Sequence, residues 1–180
     1  IQIIFRPYGP MSGDWVQIFN PGEDAPFAVV AIGDVVGKGT SAALITAALA
    51  AIWNEYHARW RNGEVDLNEI AETLDRVVTT TFKGEQNTTL SIAVLFKDRI
   101  RVGCFGAPSW LKIDNAGKSA TVRLKLQDPI GLRAKARPRF APNDVTPSAG
   151  DLILPYSDGV IDGNVARMTF QRRLSEALPL

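Results

Sequence analysis

The sequence contains little of what several common site types require. It has a single cysteine, Cys104, so an internal disulfide framework is excluded and a reducing compartment is the simplest home for the chain. Its single histidine is His57, which leaves few options for imidazole-based metal sites or catalysis. We therefore predict a cytoplasmic protein whose chemistry depends on other side chains.

The sequence also lacks a charge surplus and a long hydrophobic run. Twenty Lys and Arg residues face 19 Asp and Glu residues, and this balance excludes a broad basic surface for nucleic acid or membrane. The longest nearly apolar stretch, residues 42–53, is shorter than the roughly 20 residues that cross a bilayer. The chain starts at Ile1 with neither an initiator methionine nor a signal-peptide pattern, which favours a piece of a longer protein.

The order of predicted elements favours an α+β fold in one domain over residues 1–180. Strands come first, two consecutive helices follow, and a series of short strands that reads as an antiparallel meander comes last. Pro138 and Pro142 reduce the segment around them to an edge strand or a loop. The predicted strands span 1–5, 15–19, 27–32, 88–96, 99–105, 110–113, 121–126 and 151–156, and the predicted helices run from Thr40 or Ser41 to about Trp60, from Asp66 to 82–84, and over 171–178.

Three aspartates share one sequence context. Asp14, Asp34 and Asp158 each lie beside a glycine at a point where a predicted strand meets a loop. An aspartate in such a place is, taken singly, more often a turn former. The repeated pattern, without histidine or thiolate nearby, instead favours an oxygen-only site for Mg²⁺ or Mn²⁺. Two such ions could lower the pKa of a water molecule so that it attacks phosphorus.

Other catalytic chemistries have weaker support in the sequence. A Ser-His-Asp triad would have only His57 as its base, and this residue lies in mid-helix between aromatic residues, as a packing or surface residue would. A cysteine-based phosphatase loop needs an arginine six residues after the thiolate, where this chain has Trp110 after Cys104. We therefore predict that Cys104 is a buried strand residue.

The glycine-rich segment 33–40 (GDVVGKGT) superficially resembles a nucleotide-binding P-loop. Only three residues separate its first two glycines, and Gly39 occupies the place of the Ser or Thr that follows the lysine. The spacing therefore favours the metal hypothesis over nucleotide binding. Lys38 could lie near a substrate phosphate or be a solvated residue at a helix start.

The three aspartate motifs, in their order along the chain, resemble those of the metal-dependent PPM-type protein phosphatases in their bacterial SpoIIE/RsbU branch. Residues 12–15 (SGDW) are similar to the family's Gly-Gly-Asp-aromatic motif, and 33–39 (GDVVGKG) followed by 42–44 (AAL) resemble its most distinctive signature. Residues 150–152 (GDL) and 156–160 (YSDGV) resemble its closing strand and metal loop. The resemblance covers most of the chain.

This resemblance implies a four-layer αββα sandwich with metal ions at one end of two stacked sheets. It implies that Asp34 bridges two Mn²⁺ or Mg²⁺ ions, that Asp14 and Asp158 supply further ligands, and that the carbonyl of Val35 binds one ion. It also implies a serine/threonine phosphatase that acts through a metal-activated water. The implied substrate is a small phosphorylated regulatory protein, such as an anti-sigma-factor antagonist.

The chain departs from the family pattern at several places. Nothing after Asp162 matches the family's final Asp-Asp-x-Thr-like motif, so one of the two ions could bind weakly. Residues 105–108 (FGAP) stand where the family often has Ala-Gly-His-Pro, and 158–162 (DGVID) where it has Asp-Gly-Val-Thr-Glu. These differences leave open an alternative function as a catalytically weak phosphatase-fold module that binds a partner.

Overall fold

A computed structural model describes residues 1, 3, 12–22, 24–61, 65–83, 85–107, 110–132 and 136–157. Within them lie two helices and nine strands in two sheets. Most of the predicted strand over 1–5 lies outside these residues. All of the predicted helix over 171–178 also lies outside them. The elements are β1 (Asp14–Phe19), β2 (Phe27–Val35), α1 (Thr40–Trp60), α2 (Leu67–Thr81), β3 (Thr88–Phe96), β4 (Ile100–Phe105), β5 (Trp110–Ile113), β6 (Ser119–Val122), β7 (Leu126–Gln127), β8 (Asn143–Val145) and β9 (Leu152–Leu154).

The larger sheet has the order β1-β2-β3-β4-β7, with β8 pairing a second stretch of β4. The pairs β1-β2, β2-β3, β3-β4 and β4-β8 are antiparallel, and β7 runs parallel to β4. The smaller sheet has the order β6-β5-β9 and is antiparallel. The predicted α+β class and the stacked sheets are confirmed, whereas the prediction of a purely antiparallel meander is wrong at β7.

Both helices pack on one face of the larger sheet. The buried residues of α1 recur every three or four positions, as a helix with one buried face requires: Ala42, Ile45, Leu49, Trp53, Tyr56 and Trp60. Asp66 caps α2 by accepting hydrogen bonds from the backbone N–H groups of Asn68 and Glu69. We call the core between these helices and the sheet the helix-side core. No helix among the described residues is long and apolar enough to cross a membrane.

A second, smaller core lies between the two sheets, and we call it the inter-sheet core. Ala93, Val102 and Cys104 from the larger sheet pack in it with Trp110 and Leu124. Leu124 explains why the predicted strand over 121–126 is wrong. The chain leaves the smaller sheet after β6, buries Leu124, and joins the larger sheet as β7, so one predicted strand becomes two short ones.

Candidate metal site

Asp14 and Asp34 lie directly opposite each other on β1 and β2. Their neighbours Trp15 and Val35 belong to the helix-side core, so the alternation of side chains along a strand places both aspartates on the other face of the sheet. Directly opposite residues have Cβ atoms about 4.5–5.5 Å apart, and two like charges there repel each other. Both aspartates are half-buried. A bound cation would relieve this repulsion, so the pair has the arrangement of a cation site.

Gly13 lets the Asp34 carboxylate and one further oxygen atom, the carbonyl oxygen of Val35, approach the same point. A Cβ atom at residue 13 would lie 2.4 Å from the carbonyl oxygen of Val35 and 2.9 Å from Oδ1 of Asp34. Only glycine fits here without displacing one of them. The bare Cα of Gly13 therefore lies against both the Asp34 carboxylate and the Val35 carbonyl, two of the four groups that the family resemblance implies as ligands.

The Gly13–Asp14 segment is fixed from two directions. The backbone N–H of Val35 donates to the carbonyl oxygen of Gly13 at 3.1 Å, and the hydroxyl of Thr46 on α1 approaches the same oxygen at 3.4 Å. Oγ of Ser12 accepts a hydrogen bond from the backbone N–H of Asp14 at 3.1 Å and lies 3.4 Å from its Oδ2. These contacts hold the Gly13–Asp14 segment in place without a contribution from any ligand.

Strand β3 holds the backbone of Asp34. Its N–H donates to Oγ1 of Thr89 at 3.3 Å, and its carbonyl oxygen lies 2.9 Å from Oγ1 of Thr88. Sequence reasoning missed Thr46, Thr88 and Thr89. The only signal for Thr88 and Thr89 in the sequence is a pair of hydroxyl side chains at the start of a mostly apolar strand.

The predicted end of β2 at Gly33-Asp34 is wrong, because the strand continues to Val35. Gly33 is needed for close packing instead: a Cβ there would lie 2.6 Å from the carbonyl oxygen of Thr89 and 2.7 Å from Nε1 of Trp15. Asp34 is thus the last residue but one of the strand rather than its terminator.

The glycines after β2 turn the chain into α1. Gly37 and Gly39 have φ values of 102° and 79°, which only glycine adopts without strain. Gly39 is also the N-cap of α1, and the helix begins at Thr40, one of the two predicted starts. The N–H of Val36 donates to the carbonyl oxygen of Asn87 at 2.9 Å and ties the loop to the start of β3. Lys38, in the same loop, is exposed.

Of the three predicted carboxylate ligands, the structure brings two together. Asp158 lies outside the described residues, and within the described part no group of three His, Cys, Asp or Glu side chains could hold a metal ion. The donors present are two carboxylates and one backbone carbonyl. This oxygen-only set fits the hard cations Mg²⁺ and Mn²⁺ rather than zinc or copper.

His57 and Cys104 occupy packing positions. His57 lies in an aromatic cluster, with its ring centroid 5.1 Å from that of Phe19 and 5.9 Å from that of Trp60. Burial, assisted by the charge of Arg61, lowers its pKa. Cys104 is buried in the inter-sheet core, as predicted, and burial raises the pKa of its thiol. A raised thiol pKa disfavours the thiolate that nucleophilic catalysis needs.

A comparison with protein families decides the chain's membership. The sequence model of the family described as Stage II sporulation protein E (SpoIIE) matches residues 27–179. The chain belongs to the SpoIIE family. A search of the curated proteins finds no match.

Solved structures show the same fold. The RsbU and RsbW domains of Rv1364c from Mycobacterium tuberculosis match with a TM-score of 0.72 and 22% identity, over 93% of this chain and 44% of that one. The PP2C phosphatase domain and regulatory-domain fragment of SpoIIE from Bacillus subtilis match with a TM-score of 0.68 and 20% identity, over 96% and 50%. RsbX in complex with magnesium matches with a TM-score of 0.62 and 15% identity, over 92% and 79%.

The chain therefore spans about half the length of the first two proteins. The predicted family resemblance and the PP2C-like fold are confirmed. The family and the fold agree with the predicted serine/threonine phosphatase domain.

Proposed function

We propose that the chain hydrolyses phosphoserine or phosphothreonine on a regulatory protein, with Mn²⁺ or Mg²⁺ as cofactor. The observation that carries this proposal is the cross-strand pair of Asp14 and Asp34, with the Val35 carbonyl at its edge. Membership of the SpoIIE family supports the reaction class, and the magnesium in the RsbX structure supports the cofactor class.

In this proposal Asp14, Asp34 and the carbonyl of Val35 hold the cations, and Asp158, as the sequence predicts, supplies a further carboxylate. When bound, divalent cations supply Lewis-acid stabilisation of the phosphoryl oxygens and a water molecule of lowered pKa. The protein's part is to hold its ligands in place before substrate arrives. Ser12 orients the Asp14 carboxylate, and the threonines of β3 hold the Asp34 backbone.

The proposed hydrolysis needs no covalent intermediate with the protein. Water adds to phosphorus, the bond from phosphorus to the serine or threonine oxygen breaks, and the products are inorganic phosphate and the free hydroxyl. The raised pKa of Cys104 and the packing position of His57 agree with a reaction that uses neither as a nucleophile.

The partner is proposed to be a small phosphorylated regulatory protein, and the domain is proposed to be the output unit of a longer cytoplasmic sensor. The Mycobacterium tuberculosis relative carries an RsbU and an RsbW domain in one protein, which supports a regulatory setting. The longer length of the relatives supports additional domains.

The test is release of phosphate from a phosphoserine protein in the presence of Mn²⁺, Mg²⁺ or a chelator. We expect turnover with either metal and none after rigorous chelation. Turnover that persists unchanged under chelation would overturn the mechanism. Metal binding without turnover would favour the alternative, a partner-binding module that keeps the phosphatase fold.

A further inference from the structure

A continuous set of buried contacts runs from helix α2 to the backbone of Asp34. We propose that Thr88 is a positioning residue for Asp34, and that a buried ion pair between Asp75 and Arg137 keeps Thr88 in place. This inference rests on the proposed function, because it concerns how the candidate metal ligand is held.

The first contact is between Thr88 and Asp34. The Thr88 side chain is fully buried, and its Oγ1 lies 2.9 Å from the carbonyl oxygens of both Asp34 and Thr89. A hydroxyl group has one proton, so the two carbonyls share it. Together with the bond from the Asp34 N–H to Thr89, β3 holds the main chain of Asp34 at both its donor and its acceptor. The position of the Asp34 carboxylate therefore follows the position of β3.

The second contact fixes Thr88 itself. Its backbone N–H donates to the carbonyl oxygen of Ile130 at 2.9 Å, and the N–H of Ile130 donates to the carbonyl oxygen of Thr88 at 3.0 Å. Ile130 is fully buried in the helix-side core. This isolated bridge is how residues 128–131 reach the start of β3.

The third contact connects that segment to α2. Oδ1 of Asp75 accepts hydrogen bonds from the backbone N–H of Gly131 at 2.7 Å and from Nη2 of Arg137 at 3.0 Å. The guanidinium also donates to the carbonyl oxygens of Asp128 at 2.9 Å and Pro129 at 2.8 Å. The pair thus holds the whole segment that carries Ile130.

The burial of this pair argues for positioning. The side chains of Asp75 and Arg137 are only 6% and 4% exposed. A buried ion pair adds little net stability compared with apolar residues of the same shape, so its value lies in fixing one geometry. The contact is also close: a Cβ at Gly131 would lie 2.3 Å from Cγ1 of Val78 on α2.

Mn²⁺ binding, measured by calorimetry on proteins shown to be folded by circular dichroism, separates positioning from simple support. Thr88→Val removes the hydroxyl at similar size, and we expect about tenfold weaker Mn²⁺ binding, the lower end for loss of a group that orients a metal ligand. Thr88→Ser keeps the hydroxyl and should restore the wild-type affinity. Thr80→Val is the matched control, because Thr80 is exposed on α2 and its hydroxyl bonds only to carbonyls of its own helix.

The ion pair is tested by the same titration. Asp75→Asn should weaken Mn²⁺ binding about threefold, since it acts through Thr88. Arg137→Lys, which keeps the charge but loses the fork of donors, gives a milder second test should the Asp75 variant not fold. Unchanged Mn²⁺ affinity in folded Thr88→Val would overturn the role of Thr88. Unchanged affinity in folded Asp75→Asn would overturn the role of the pair, and where that variant does not fold, unchanged affinity in folded Arg137→Lys would do so.

These outcomes are distinct from a failure of the proposed function. If the wild-type chain binds no Mn²⁺, or if Asp34→Asn binds it as tightly as wild type, the metal site itself is wrong. If wild type binds, Asp34→Asn does not, and Thr88→Val matches wild type, the site stands and only the positioning inference is lost.

Discussion

The two faces of the larger sheet are built differently. The helix-side core contains the largest fully buried side chains, including Trp53 and Phe105, together with the buried ion pair of Asp75 and Arg137. The inter-sheet core is smaller, and its buried polar contacts are between neutral groups; for example, Nε1 of Trp110 donates to Oγ of Ser91 at 3.2 Å.

The candidate ligands Asp14 and Asp34 lie on the face toward the smaller sheet, but several of the groups that hold them come from the helix side. Thr46 on α1 bonds to Gly13, and Thr88, buried among residues of the helix-side core, bonds to Asp34. The comparison indicates a division of roles: one face carries the candidate ligands, and the other contributes several of the contacts that hold them. The predictions below test this division.

The largest effect is expected from Asp34→Asn, which removes charge from the chemical face at nearly constant shape. We expect a loss of at least about a thousandfold in phosphatase turnover at limiting metal, because metal-ion stabilisation of the transition state is worth several kcal/mol. Phosphate release from a phosphoserine protein measures it. Asp24→Asn, at an exposed position before β2, is the control and should keep wild-type turnover. Retained activity in Asp34→Asn would contradict the role of Asp34 as a metal ligand.

The next effect tests the helix side. Asp75→Asn leaves the buried charge of Arg137 without its partner and should lower the free energy of unfolding by about 3–5 kcal/mol. The matched control is Asp144→Asn, which breaks the exposed pair with Arg101. Loss of that pair should cost less than about 1 kcal/mol. Urea denaturation measures both, and equal losses would contradict the view that burial sets the difference.

A pair of cavity variants compares the two cores directly. Leu49→Ala, in the fully buried helix-side core, should cost about 3 kcal/mol, within the range for buried leucines. Leu124 is 9% exposed at the margin of the inter-sheet core, so Leu124→Ala should cost about 1–2 kcal/mol. Unfolding free energies in urea give the comparison. A larger loss at Leu124 would show that the inter-sheet core is the more important one for stability.

The smallest effect is a pH dependence at the sheet edge. The hydrogen bond from Arg101 holds the pKa of Asp144 below its usual value. Because the folded-state pKa is lowered, the stabilisation is present above the unfolded-state value of about 3.9 and is lost as pH falls through the folded-state pKa. Since the pair is exposed, we expect only a few tenths of a kcal/mol. Between pH 6 and pH 2 the free energy of unfolding should fall slightly less steeply with pH for Asp144→Asn than for wild type. Identical slopes would show that the pair with Arg101 does not contribute to the pH dependence.

Local patterns predicted the elements whose signals are local. The bounds of β3 and β5, the run of α1 to Trp60 and the cap of α2 at Asp66 match the predictions, because periodicity and capping depend on neighbours in sequence. The split between β6 and β7 could not be predicted, since it depends on which sheet each half joins.

The candidate site was predictable in part for the same reason. Glycine-flanked aspartates predicted Asp14 and Asp34, and the pairing of β1 with β2 brings them together. Thr88 contacts Asp34 across 54 positions, and Arg137 contacts Asp75 across 62, so neither contact leaves a local pattern. A charged residue within the buried stripe of α2 was the one available sign of the Asp75 pair.

The most direct test of the account is the position of Mn²⁺ in a crystal of this protein, located by its anomalous scattering. We expect a Mn²⁺ ion in contact with the carboxylates of Asp14 and Asp34 and with the carbonyl oxygen of Val35, at distances close to the roughly 2.0–2.1 Å that Mg²⁺ keeps to its oxygen ligands. An ion bound elsewhere, with both carboxylates left without metal at saturating Mn²⁺, would contradict the claim that this cross-strand pair is the catalytic metal site.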